Sequence, residues 1–126
     1  MPATYPRCMN EPDRAFFEDL AAKIDRMSAD AATAITRPED TGWEERDALQ
    51  VLHAALATPE QRHAFESFVN ELLRVLTHSI LVTIDGGTEY SDAHGTPQLV
   101  HANGQPFAEA LHELFIDHLL DTERQR

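Results

Sequence analysis

The sequence predicts an α+β fold that is mainly helical, with about four helices around a central apolar helix and one small β-hairpin. Three observations predict it. Apolar residues recur at spacings of three and four in four separate segments. The longest segment, Phe65 to Ile84, stops at Asp85-Gly86-Gly87. A polar, turn-rich stretch follows, from Gly87 to Gln105, with one short apolar run that leads into Asn103-Gly104.

The first helix is expected from Pro12 to Ile35. Phe16, Leu20, Ile24, Met27 and Ala31 form its apolar stripe, and Pro12 suits a first turn. Arg37-Pro38-Glu39-Asp40 ends it. Thr41-Gly42-Trp43-Glu44 has the pattern of a capping box and opens a second helix, with Ala48, Leu49, Leu52, Ala55 and Leu56 on one side. Thr58-Pro59-Glu60-Gln61 opens the third: Thr58 as N-cap, Pro59 in the first turn, Gln61 closing the box.

Beyond Leu76 the third helix admits two readings. Leu76, Ile80 and Ile84 continue the spacing of four, with Gly86 placed as a C-cap. Ile80 to Ile84 is also β-branched enough for a strand with Asp85-Gly86 as its turn. The helix, with a candidate break near His78, is preferred because the stripe from Phe65 continues in register. Gln98 to Ala102 is expected as a short strand, with a partner around Thr88 to Ser91. A last helix is expected from Pro106 to Asp121, burying Phe107, Leu111, Leu114, Phe115, His118 and Leu119. Its other face carries Glu109, His112, Glu113, Ile116 and Leu120, which places His112 towards solvent and makes Ile116 and Leu120 candidates for a homodimer contact.

A chain of 126 residues with 42% hydrophobic residues reads as a single domain, 1–126, with a flexible arm at 1–10 and a frayed tail at 122–126. Cys8 is the only cysteine, so no internal disulfide forms. The first residues lack the apolar core of a secretory signal, and Glu66, Asn70, Glu71, Arg74 and His78 interrupt the longest apolar run. A cytoplasmic location and no membrane contact are expected.

The net charge is −12 and is unevenly carried. Between Arg74 and Arg124 there is no Lys or Arg, against eight carboxylates: Asp85, Glu89, Asp92, Glu109, Glu113, Asp117, Asp121 and Glu123. Such a surface repels phosphate, which argues against nucleic acid. It suits a basic protein partner or plain solubility. Asp85, Glu89, Asp92, Glu109, Glu113 and Asp117 are the candidate interaction surface.

Motifs add little. Glu-x-x-His occurs as Glu60–His63 and Glu109–His112, the helical spacing of di-iron bundles, but the composition yields about 0.7 such pairs by chance. An EF-hand register from Asp85 fails at Gly87, Tyr90 and Thr96. A looser cation site from Asp85, Glu89, Asp92 and His94, or a metal set of Asp85, Asp92, His94 and His112, is the alternative reading. No nucleophile elbow, P-loop or dinucleotide fingerprint is present, and no cofactor is expected.

Ile80 to Gly87, Gln98 to Ala102, and Leu111-His112-Glu113-Leu114-Phe115 resemble a loose set of small bacterial proteins of uncharacterised function. In these an apolar segment ends in Asp-Gly, a short strand follows, and a Leu-His-Glu-x-Phe helix closes the domain. The resemblance implies a helical domain with a small β element and no particular activity. Some small acidic bacterial proteins of similar size cap a toxin as immunity partners. The sequence therefore leads to a non-enzymatic interaction module, with a metal-binding protein or a homodimeric regulatory domain as alternatives.

Overall fold

A computed structural model describes residues 10–125. The expected N-terminal arm with Cys8 lies outside the described residues except for Asn10, as does Arg126. In chain order the elements are α1 (Glu11–Thr36), a single 3-10 turn (Pro38–Asp40), α2 (Arg46–Ala55), α3 (Pro59–Ile84), α4 (Glu89–His94) and α5 (Leu111–Arg124). The chain divides into two compact units: Met1–Ala21 with Val75–Arg126, and Ala22–Arg74.

Helix α1 begins where Asn10 Oδ1 accepts the N–H of Asp13 at 2.9 Å, the N-cap geometry. Its buried side differs from the expected stripe. Ile24 and Ala31 are buried as expected, but so are Phe17 and Ser28, while Met27 is exposed. Ser28 is tolerated there because its hydroxyl donates to Ile24 O at 2.6 Å and accepts from Asn70 Nδ2 at 2.9 Å.

Within Ala22–Arg74 the core is Ala34, Ile35 and Leu49, with Leu52, Leu56 and Phe65 packed against it. Two side chains close helix ends there. His53 Nδ1 bonds Ile35 O at 2.6 Å, a terminal carbonyl of α1, and Arg62 Nε donates to Leu56 O at 2.9 Å just past α2. The capping box expected at Thr41 does not form. Thr41 Oγ1 accepts from Trp43 N at 3.3 Å instead, and α2 starts later, at Arg46, with no side-chain cap. The box at Thr58 does form in both directions: Thr58 N to Gln61 Oε1 at 3.1 Å, and Gln61 N to Thr58 Oγ1 at 3.2 Å.

Helix α3 runs unbroken to Ile84, so the helical reading of Ile80–Ile84 holds. It stops in a Schellman motif. Gly87 N bonds Val82 O at 2.9 Å, Gly86 N bonds Thr83 O at 3.1 Å, and Gly86 supplies the left-handed φ of +88°.

Within the unit containing Val75–Arg126, the buried apolar residues are Phe17, Leu81, Leu111, Leu114, Phe115 and Leu119. The rings of Phe17 and Phe115 lie 5.7 Å apart, and His118 packs beside Phe17 at 6.3 Å, a half-buried core histidine. Helix α5 starts five residues later than expected because Pro106 to Ala110 are spent elsewhere. Phe107 N donates to Leu99 O at 3.0 Å, Ala108 N donates to Asp13 Oδ2 at 3.2 Å, and Ala110 takes a left-handed φ of 59°. Its end also differs, since Thr122 to Arg124, expected to fray, are helical.

Two expectations of the fold class are corrected. The fold is mainly helical, and the small β-hairpin is absent among the described residues. Residues around Val100 and Pro106 make one isolated antiparallel bridge, and the turn at Asn103-Gly104 is real, with His101 O accepting from Gly104 N at 2.9 Å. Pro97 and Pro106 have no N–H to extend a ladder, and the expected partner strand at Thr88–Ser91 lies mostly within α4. The second correction concerns α3, which is not a central core helix. Of its residues only Leu81 is buried. The helix is apolar on two sides, and only one side finds an interior to face.

Candidate functional site

Two features stand out: a polar junction around Asp13 and Asp85, and an exposed apolar face on α3. Asp13 is fully buried. Its Oδ1 meets His101 Nε2 at 2.8 Å and its Oδ2 accepts Ala108 N. The His101 ring stacks on Phe107 with centroids 3.6 Å apart, and Phe107 meets Phe16 edge-on at 5.0 Å. A buried carboxylate with every oxygen engaged acts as a strut, here tying α1 to the segment that leads into α5.

Asp85 plays the matching role one element later. Its Oδ1 accepts Leu111 N at 3.0 Å and its Oδ2 accepts His112 N at 2.9 Å, while His112 Nδ1 also bonds Oδ2. Ala110 has no side chain able to cap α5, and Asp85 supplies the cap from 26 residues away. The His78 ring lies edge-on to that of His112 at 5.5 Å. Beside this junction is an open cleft of about 560 Å³, bounded by Asp85, Thr96, Leu99, Phe107 and His112. The Asp85–His112 pair resembles the orienting half of a catalytic dyad. Its geometry is that of a helix cap, and the cleft lining offers Thr96 as its one hydroxyl and no Ser, Cys or Lys.

The acidic residues therefore separate. Asp85 is turned inward and half-buried, whereas Glu89, Asp92, Glu109, Glu113 and Asp117 are exposed. His112, expected towards solvent, is half-buried on Asp85. Of the alternative metal set, Asp85 and His112 come together, but Asp92 and His94 are exposed on α4, and the His94 ring packs on Tyr90 at 5.1 Å. Among the described residues no three His, Cys, Asp or Glu side chains converge as metal ligands would. Of the two candidate dimer residues, Leu120 is exposed and Ile116 is half-buried.

The feature that sequence reading missed is on α3. Phe68, Leu72, Val75, Leu76 and Ile80 are between 51% and 60% exposed. Their spacings of four, three, one and four residues place them on one side of the helix, opposite Leu81. Side chains of this size at about half exposure present on the order of 500 Å² of apolar surface, at the level of the largest patch on an ordinary monomer. The stretch that contains α3 also meets a length-and-composition criterion for a membrane span, weakly. A signal was present in the sequence: α3 carries apolar residues on more than one arc, which a helix facing a single core does not need.

No family model matches the chain, and no curated protein or solved structure is significantly similar to it.

Proposed function

We propose that this protein is a non-enzymatic protein-interaction module and that the exposed face of α3 is its principal contact surface. One observation carries the reading: five large apolar side chains stand more than half exposed on one side of a single helix. A helix-in-groove or helix-on-helix partner buries such a face. Exposed to water, it is an association site.

The acidic segment supports a second surface. Glu89, Asp92, Glu109, Glu113 and Asp117 are exposed in a stretch without Lys or Arg, which favours a basic protein by electrostatic complementarity. The two surfaces differ in their salt response. Contact through α3 persists as salt rises, whereas contact through the carboxylates weakens. A cytoplasmic setting agrees with both.

The test is capture from host lysate with the wild-type protein and with a Leu72→Glu, Leu76→Glu variant, at low and high salt. The reading predicts that bound chains, including further copies of this one, are lost from the variant. The same bound set on both proteins would contradict it.

A further inference from the structure

We propose that the exposed face of α3 pairs with the same face of a second copy of this chain, antiparallel, about a two-fold axis passing between Leu72 and Val75. This rests on the reading of the chain as an interaction module and names its partner.

Phe65, Phe68, Leu72, Val75, Ser79 and Val82 follow spacings of three and four in strict alternation, the repeat of a two-helix seam. Phe68, Leu72, Val75 and Ser79 are exposed, and Phe65 and Val82, at the two ends, are half-buried. Leu76 and Ile80 flank the seam on one side. The charged residues Glu66, Glu71 and Arg74 all fall off this line.

The face is also ready to lose water. Its polar groups are hydroxyls that already bond the helix's own carbonyls: Ser79 Oγ to Val75 O at 2.9 Å and Thr83 Oγ1 to Ser79 O at 3.2 Å. Burying them leaves no donor unpaired, so the usual desolvation cost of a polar residue at an interface is avoided.

Side-chain sizes select the antiparallel direction. With the axis between Leu72 and Val75, the layers are Leu72 on Val75, Phe68 on Ser79, and Phe65 on Val82. Each large side chain meets a smaller one. Parallel pairing stacks Phe68 on Phe68 and Ser79 on Ser79, overfilling one layer and leaving a void in the other. Charge agrees. Eight of the ten Lys and Arg lie at or before Arg74, and the eight carboxylates without cations between them follow α3. Antiparallel helices of about 39 Å set the two acidic segments at opposite ends, whereas parallel ones set them side by side.

Area is sufficient. Two faces of on the order of 500 Å² bury about 1,000 Å² together, the lower bound for a specific interface. A second copy brings an equally neutral face. An anionic membrane, by contrast, is repelled by a chain of net charge −12.

Disulfide trapping tests this in a Cys8→Ser background. Chains carrying Phe68→Cys are mixed with chains carrying Ser79→Cys and oxidised in a glutathione buffer. The mixed covalent dimer is expected as the main product, with Ser79→Cys chains alone remaining uncrosslinked. Self-crosslinking of Ser79→Cys would show parallel pairing and overturn the proposal. So would a monomer mass for the Cys8→Ser protein at every concentration, a result that needs no seam substitution. The module reading fails separately, on lysate capture unchanged by Leu72→Glu and Leu76→Glu. A monomer that still loses its partners in that variant removes self-pairing alone.

Discussion

Asp85 caps a helix to which it does not belong. Its Oδ1 lies 3.0 Å from the backbone nitrogen of Leu111, the first residue of α5, across 26 residues of sequence. Asp85→Ala removes the carboxylate acceptors of two backbone N–H groups, those of Leu111 and His112, and the His112 side-chain contact with them. A single cap is worth about 1 kcal/mol and an unpaired donor costs about 1–3, so the variant should lose roughly 2–3 kcal/mol in a urea titration. His112→Ala keeps both backbone bonds and should lose less, about 1 kcal/mol. Equal losses for the two variants would show that the imidazole, and not the cap, holds the junction.

Asp13 gives a second prediction. It is fully buried and accepts from His101 and from Ala108 N. Asp13→Ala leaves both donors without an acceptor and should cost about 2–4 kcal/mol. His101→Ala removes one bond and the stack on Phe107, and should cost about 1–2 kcal/mol. A melting temperature unchanged by Asp13→Ala would contradict this part of the fold.

Glycine positions separate strain from space. Gly86 and Gly95 both have positive φ, +88° and +86°. A Cβ at Gly86 would sit 2.6 Å from Thr96 Oγ1, whereas a Cβ at Gly95 meets nothing within 4 Å. Gly95→Ala should therefore cost about 1 kcal/mol, the left-handed penalty alone. Gly86→Ala should cost more, and Thr96→Ala should recover part of the difference. A double-mutant cycle measures that recovery.

Much of the helical frame was legible. The reciprocal Thr58–Gln61 box and the Gly86 stop are local devices whose residue types fix their geometry, so both ends of α3 were legible, although Ile80 to Ile84 read as a strand as well as a helix. The Thr41 box failed because a hydroxyl has more than one local donor within reach, and Trp43 N took it. The start of α5 was misplaced because its cap is Asp85, a contact that spacing cannot reveal. Asp85 and His112 were singled out as surface or metal groups and turned out to be partners of each other. The exposure of α3 was hidden for another reason. An apolar helix reads the same whether its second face meets a core or a partner.

That distinction yields a stability contrast within one helix. Leu81 is buried and Leu76 is more than half exposed. Leu81→Ala should cost about 2–5 kcal/mol. Leu76→Ala, measured at a concentration where the chain is monomeric, should cost no more than a few tenths of a kcal/mol. At high concentration the Leu76→Ala loss should grow, because the dimer then contributes to stability.

Sedimentation equilibrium of the unmodified protein tests the central claim most directly. With α3 as a self-pairing face, the mass rises from 14.2 kDa towards twice that value as concentration increases, in low and high salt alike. The Leu72→Glu, Leu76→Glu variant stays at the monomer mass. A wild-type mass fixed at 14.2 kDa across the whole concentration range would contradict the account.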